Sequence, residues 1–555
     1  MMDSLFGEQG ISEMRKRKKK KGGRQVFKEY NQAQLKLLPP SLDELIPPKH
    51  IVRVINRIVE NMNIKVLEAT YKGGGASAYD PRMMLKVVIY SFVSKIYSIR
   101  QIAKALRENI CFMWLAANNK PDFRTISYFI LNRLTGEVLT EIFTEVIIYL
   151  IKRKYIDMKE YFVDGSIIKA NANKHSYVWR KNIERYREKI ELKIKERMEE
   201  MIKLIEEENS IYGDRDLEEL GEWSKDLTSE EEQESIERLN KLISKIVKGV
   251  DSQKEVNKRL DRDRAKRRRQ IKSLNREINK FVEKKKIYDK YLRVLKDRNS
   301  CSKTDLDATF TSLKTKGVEP AYMVMIGTEN QFIINGTVCR RLSEAKGFKE
   351  HMEELLKRGL KPERVVGDSG FGSEQNYEFL EKEGIEGYLK YNTFNKEEKG
   401  IKKPIKGFVR DNFKYDKALD VFICPEGKEL RYIRDEESKV EDGHKKKYRV
   451  YRCNSCISCS FRWECIKSNN NYKEIRLNTK FERYKEEAFN KLTSEEGKRL
   501  RKRRNYEVES VFGIIKDAMG FRKFLRRGIE KVKKEFNLVC IAYNLKRLAN
   551  FETAS

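Results

Sequence analysis

The chain has 555 residues, 39% of them hydrophobic and 37% charged, and its 118 Lys and Arg against 85 Asp and Glu give a formal net charge of +33. The apolar content is enough for true cores. The positive excess points to a polyanionic partner, since neutralised phosphates release condensed counterions; an anionic membrane would attract the same charge.

No apolar run reaches the roughly 18–20 residues that span a bilayer. Ile142–Ile151 is short and interrupted by Thr144 and Glu145, and no signal-peptide core opens the chain, so a cytoplasmic protein is expected. The four histidines (His50, His175, His351 and His444) stand in no Ser, Cys or zinc-protease motif, which argues against His-dependent hydrolysis.

Residues 1–39 read as a basic tail. Its run RKRKKKKGGR at 15–24 reads both as a solvated segment and as a non-specific phosphate-binding arm. Residues 40–156 read as a helical domain. Pro47-Pro48 precede an amphipathic stretch with Ile51, Val54, Ile55 and Ile58 on one face. Asp80-Pro81 supplies the cap and first turn of a second helix. Two shorter helices, Ser98–Leu106 and Asp122–Ile130, suggest either a helix-turn-helix-like DNA reader, tested at Arg124 and Arg133, or a plain helical bundle.

Residues 157–179 change character, with the β-type run YFVDGSIIKA at 161–170 carrying Asp164. Residues 180–300 are helical in pattern and highly charged. Ile183, Ile190, Ile194, Met201 and Ile205 repeat at near-helical intervals. So do Ile271, Leu274, Ile278, Phe281, Tyr288, Leu292 and Leu295, broken by Lys285. A Gly- and Asp-containing break lies near 212–228. This predicts helical hairpins or an antiparallel coiled coil inserted into the fold around it, serving as a spacer, a dimerisation arm or a DNA clamp. The basic run RDRAKRRR at 262–269 favours DNA contact.

Residues 301–400 return to alternating strands and helices. Strands are predicted at Tyr322–Thr328, Phe332–Arg340, Arg364–Gly367 and Gly387–Tyr391, with helices over 344–358 and from Glu374. Residues 401–480 form a Cys-rich insertion. Residues 481–555 are helical and basic, with a dense patch at Lys498–Arg504. The fold class is α/β, with an N-terminal all-α domain and two insertions.

Three acidic residues stand out by context. Asp164 lies in the apolar run Phe162-Val163-Asp164-Gly165, where a buried carboxylate is costly unless it is paired or binds metal. Asp368 follows Val365-Val366-Gly367 and precedes a Gly-rich turn, which leaves room for a ligand at a strand end. Glu509 sits on a helix, and Lys516 seven positions later shares its face. Phosphodiester cleavage and strand transfer are in-line displacements, and two divalent ions about 3.5–4 Å apart assist both the attacking and the leaving oxygen. Magnesium or manganese would accept such an oxygen-rich site.

With these residues in view, a resemblance becomes specific. Tyr161–Asn173 with Trp179 resembles the first catalytic strand of bacterial insertion-sequence DDE transposases. Ser302–Thr309 resembles the segment before that family's second strand. Val366–Ser373, with Asn376 and Tyr377, resembles its second-Asp block. Glu507–Lys516, followed by Gly520-Phe521-Arg522 and Arg527-Gly528, resembles its Glu block. The similarity runs in order from about residue 27 to 549.

The resemblance implies a ribonuclease-H-like mixed-sheet core. Asp164, Asp368 and Glu509 would bind the catalytic metals, and Lys516, Arg504, Arg124 and Arg522 would contact DNA. It also implies double-stranded transposon ends and target DNA as partners, and at least a homodimer in the synaptic complex. The family's Arg position before the Glu holds Asn505 and its Tyr position holds Lys502, although Arg504 and Tyr506 lie close by. Glu507 rivals Glu509 for the metal; on a helix the two point about 200° apart and cannot both face it. A DNA-binding protein without activity, or a related nuclease, are the alternative readings.

Cys453, Cys456, Cys459 and Cys465 fall within thirteen residues. Such spacing suits a structural tetrahedral zinc site, or an iron–sulfur cluster. Cys424 could replace one of the four, and His444 is a more distant candidate. Reduced, partly buried thiols are the plain alternative.

Overall fold

The computed structural model describes residues 41–71, 77–212, 258–296, 298–313, 317–400, 407–408, 410–439, 445–466 and 470–554. The tail 1–39, nearly all of the break expected near 212–228, and His444 lie outside them. The chain divides into two units, Met1–Pro47 and Pro48–Ser555. In the first, residues 41–47 form a turn in which the Ser41 hydroxyl accepts the Glu44 N–H at 3.3 Å.

In the second unit, helix Ile51–Glu60 buries Val52, Val54, Ile55, Ile58 and Val59. Helix Pro81–Val93 starts where Asp80-Pro81 predicts: Asp80 Oδ1 accepts the Met83 N–H at 2.7 Å. From Met83 to Val93 every residue is buried, so this helix is enclosed on all sides. Helices Ile99–Glu108 and Phe123–Tyr128 pack on each other, and Gly136–Lys152 follows. The C-terminal helix Ile529–Ala554 packs on Pro81–Val93 and Gly136–Lys152. It docks onto the main sheet through the Asn544 amide, which pairs with both backbone groups of Ile333 at 2.8 and 2.7 Å.

The main sheet contains β1 (Glu160–Lys169), β4 (Thr309–Leu313), β5 (Gly317–Glu329), β6 (Phe332–Cys339), β7 (Arg364–Gly367) and β8 (Glu386–Leu389). Their order is β4-β5-β1-β7-β8, and β6 also pairs with β5. Strands β4, β5, β6 and β1 are linked by antiparallel pairs, whereas β1, β7 and β8 are parallel. Strand β5 begins five residues before the predicted Tyr322, because Gly317–Ala321 pair with β4. Two short strands, β2 (Tyr177–Trp179) and β3 (Ser300–Ser302), pair antiparallel at the neck of the helical insertion.

From that neck rise two long helices, Arg180–Tyr212 and Lys258–Leu295. They run antiparallel, as the Arg187–Asp289 and Arg197–Glu277 ion pairs show. Ile190, Ile194, Met201 and Ile205 face Ile271, Leu274, Ile278 and Val282 in their shared core. Lys285, which interrupts the apolar repeat, is buried and pairs with Glu191 at 3.4 Å. The Cys-rich region forms a second, antiparallel sheet of β9 (Lys414–Asp416), β10 (Val421–Ile423), β11 (Glu429–Lys439), β12 (Lys445–Arg452) and β13 (Glu474–Leu477). Among the described residues, no helix is long and apolar enough to cross a membrane.

Candidate active site

The parallel β1–β7 pairing ends at Phe162 opposite Val366. Asp164 and Asp368 each stand two residues further on. Side chains alternate faces along a strand, so this register delivers the two carboxylates side by side. Asp164 lies deeper, with 16% of its side chain exposed against 37% for Asp368. The Gly370 N–H donates to Asp368 Oδ1 at 2.9 Å and fixes the turn after β7.

Arg504, the last residue of helix Glu495–Arg504, spans both acids. Its Nη2 is 3.0 Å from Asp164 Oδ1 and 3.5 Å from Asp368 Oδ2. The side chain is buried, and its Nε–H has no acceptor among the described residues.

A fourth carboxylate, absent from the sequence-based site, joins the group. Glu344 opens the helix Glu344–Lys357. A Cβ added at Gly370 would stand 1.9 Å from Glu344 Oε2 and 3.3 Å from Asp368 Oδ1, so these two oxygens border one small space. A Cβ at Gly165 would stand 2.9 Å from Glu344 Oε1. In sequence, Ser343-Glu344 reads as an ordinary helix start, and nothing local marks it.

The charges act on one another. Burial, then the Asp368 and Glu509 charges, push Asp164 up to about 6 against the opposing pull of Arg504. Burial, followed by Asp368 and Asp164, raises Glu344 to about 7, again with Arg504 opposing. Lys516 reaches the same face of β1, where its Nζ bonds Ser166 Oγ. Burial lowers its pKa, with Asp164 pulling the other way. Lys390 is similarly lowered by burial and by Arg501 and Arg504, while Asp368 opposes.

The two rival glutamates separate cleanly. They occupy a π-helical turn, Asn505–Glu509, followed by a short α turn and a second π turn, Ile514–Ala518. Glu507 is buried; its Oε2 accepts the Gln331 N–H at 2.6 Å and its Oε1 accepts Arg503 Nε at 3.1 Å. Glu509 is exposed and acts on Asp164 through its charge.

The remaining basic residues are dispersed. Arg522 pairs with Asp517 and donates to the Lys516 carbonyl at 3.2 Å. Its own carbonyl accepts the Lys169 N–H at the end of β1. Arg124 is exposed, with its guanidinium over the Phe123 ring. Arg133 is engaged internally, bonded to the Thr70 carbonyl and stacked 4.3 Å from the Tyr71 ring centre.

The four clustered cysteines and Cys424 line one cavity together with Lys428, Arg462 and Lys473. The topology explains this. Strands β10 and β12 both pair antiparallel with β11, so they run the same way, and Cys424 and Cys453 follow their matching ends. Backbone N–H groups of Lys428 and Lys473 point at Cys424 Sγ and Cys456 Sγ at 3.2 and 3.4 Å. Burial pushes the Cys453 thiol up to about 11.

Among the described residues, no three His, Cys, Asp or Glu side chains are already arranged to hold a metal ion. In the acidic group the Arg504 guanidinium pairs with both Asp164 and Asp368. The donor set itself suits magnesium or manganese, which take carboxylate oxygens, and a cation would offset the burial and the neighbouring carboxylate charges that raise Asp164 and Glu344.

Two segments of the chain match protein-family models. Residues 423–549 match the transposase DDE domain, and residues 40–131 match the transposase domain DUF772. The first segment contains Glu509, Lys516, Arg504 and the cysteines; Asp164 and Asp368 lie outside both. No curated protein and no solved structure matches the chain.

Proposed function

On the premise that the chain belongs to the insertion-sequence DDE transposases, we propose that it binds the ends of its own element and performs metal-dependent strand cleavage and strand transfer. The family in general acts on DNA, cuts and transfers it, and uses divalent metal. The observation that carries the finer reading is the shared register of Asp164 and Asp368 on adjacent parallel strands, with Glu509 charge-coupled to the first. The strand order β6-β5-β1-β7-β8, with its antiparallel half and parallel half, supports a ribonuclease-H-like core.

Asp164, Asp368 and Glu509 would hold the divalent ions. Those ions supply charge neutralisation at phosphorus and an activated oxygen. Lys516, bonded to Ser166 two residues from Asp164, would contact a phosphate next to the scissile bond. Arg504 balances the carboxylates when no metal is bound, and its free Nε–H offers a donor to phosphate once DNA arrives. Arg522 would touch the backbone nearby. Arg124, on an exposed helix of the helical domain, would contact the element's ends. The paired long helices form a coiled-coil-like arm whose run 262–269 would grip DNA or a second copy, since synapsis requires at least a dimer. At the cysteine cavity we infer a structural zinc, supported by five thiols bordering one space and by the two N–H groups directed at sulfur.

The test incubates the full chain with labelled DNA carrying its element's ends, target DNA and magnesium, beside Asp164→Ala, Asp368→Ala and Glu509→Ala. Each variant is expected to bind DNA and neither cleave nor join. Cleavage retained by any variant removes that residue from the site. Cleavage without joining in the parent makes the protein a nuclease, and binding without chemistry makes it a DNA-binding protein only.

A further inference from the structure

We infer that Glu344 is a fourth carboxylate of the centre, holding the divalent ion together with Asp164 and Asp368 in the place that Arg504 now fills. The inference rests on the metal-dependent reading above and adds a residue that neither the sequence motifs nor the family match marks.

Three observations carry it. First, Glu344 comes from a different element than the other acids. The helix Glu344–Lys357 packs on the β5 and β6 side of the sheet, where His351 Nε2 meets the Tyr161 hydroxyl at 2.6 Å. Tyr161 and Asp164 lie on opposite faces of β1. The Glu344 carboxylate therefore approaches from the Tyr161 face of β1, beside Gly165 and next to the turn at Gly370 where β7 has ended.

Second, the local glycines make room for it. Gly165 follows Asp164, and Gly370 follows Asp368 by two. At each, a Cβ would meet the Glu344 carboxylate at 2.9 and 1.9 Å respectively. Two catalytic-strand segments thus give up a side chain at the positions where this carboxylate lies.

Third, its oxygens are not committed elsewhere. No hydrogen bond among the described residues reaches the Glu344 carboxylate. A half-buried carboxylate facing two others is unfavourable unless a cation satisfies it. The cation that bridges the two aspartates, Arg504, is directed at them through Nη2 and leaves its own buried Nε–H without an acceptor among the described residues. The arrangement is therefore poorly satisfied as it stands. A divalent ion bound by carboxylates from both sides would satisfy it better and free the guanidinium for a phosphate.

The test measures manganese binding to the full-length protein without DNA. Free Mn2+ is followed by its electron paramagnetic resonance signal for the parent, Glu344→Gln, Glu344→Asp, Asp164→Asn and Asp368→Asn. Thermal unfolding of each is recorded in chelator. Glu344→Gln is expected to weaken Mn2+ by about tenfold or more, the range in which residues supporting a metal act. Its metal-free unfolding temperature should be unchanged or higher, because a repelled charge is gone. Glu344→Asp, which keeps the charge but withdraws it by one methylene, should fall between. If both Glu344 variants bind Mn2+ like the parent while the aspartate variants do not, Glu344 is no ligand and the two-aspartate centre stands. If the aspartate variants also bind like the parent, the metal centre itself is wrong, and this inference with it.

Discussion

Exchanging each of the two neighbouring glutamates for glutamine should produce opposite phenotypes. Glu507 Oε2 takes the Gln331 N–H at 2.6 Å and its Oε1 takes Arg503 Nε at 3.1 Å, with 5% of its side chain exposed. Glutamine keeps one acceptor oxygen and turns an amide N–H2 toward a donor. A hydrogen bond to a charged group contributes about 1.5–3 kcal/mol. Arg503 also bonds Glu160 and Asn330, so its charge is not stranded and the lower part of that range applies. Glu507→Gln should therefore cost about 2 kcal/mol of stability and leave residual cleavage. Glu509 is exposed and makes no hydrogen bond or ion pair among the described residues, so Glu509→Gln should shift stability by less than about 0.5 kcal/mol. It should nevertheless abolish cleavage. Denaturant unfolding and a single-turnover cleavage assay, run on both variants, read the two effects. A stable, inactive Glu507→Gln beside an active Glu509→Gln would refute the reasoning.

Three further outcomes follow from the same geometry. Arg504→Met removes the cation between Asp164 and Asp368; without metal it should cost about 2 kcal/mol at pH 8, below the range for a fully buried pair because Asp368 is more than a third exposed. The loss should be smaller near pH 5, where Asp164 and Glu344 (raised to about 6 and 7) carry protons, and magnesium should restore it. His351 is fully buried between the Tyr161 and Thr337 hydroxyls, and burial lowers it to about 3. Because its folded pKa lies below the unfolded 6.5, its contribution is complete above pH 6.5 and is lost as pH falls toward 3. The slope should approach about 1.4 kcal/mol per pH unit, and a denaturation series in His351→Gln should be flatter. Finally, metal analysis should find about one zinc per chain, lost in Cys424→Ser and Cys453→Ser but kept in Cys111→Ser; no zinc in the parent would dismiss that site.

How far the sequence discloses this site varies by residue. Val365-Val366-Gly367 is apolar, short and bounded, so strand β7 and the position of Asp368 at its end are legible. Asp164 is equally visible, because a lone acid in Phe162-Val163-Asp164 is anomalous. What the sequence cannot show is that β1 and β7 pair in parallel with matching register, which is decided by packing across some two hundred residues of intervening chain. A helical wheel separates Glu507 from Glu509 without saying which turns inward; the answer depends on Gln331 and Arg503. Glu344 is illegible for the same reason: its role exists only because two glycines elsewhere admit it. The cysteine spacing in residues 401–480 signals a metal site and carries no sign of the five-stranded sheet around it. Strands such as β11, with Leu430 buried among many charged neighbours, carry too weak an alternation to stand out.

The most direct test of the central claim replaces magnesium with ferrous iron. Bound iron, given ascorbate and peroxide, generates hydroxyl radicals that cut the polypeptide beside its ligands. The account predicts cuts near residues 164, 368 and 509, suppressed together by excess magnesium. Cuts confined to other segments, or cuts at these positions that magnesium does not suppress, would contradict a shared divalent centre built from Asp164, Asp368 and Glu509.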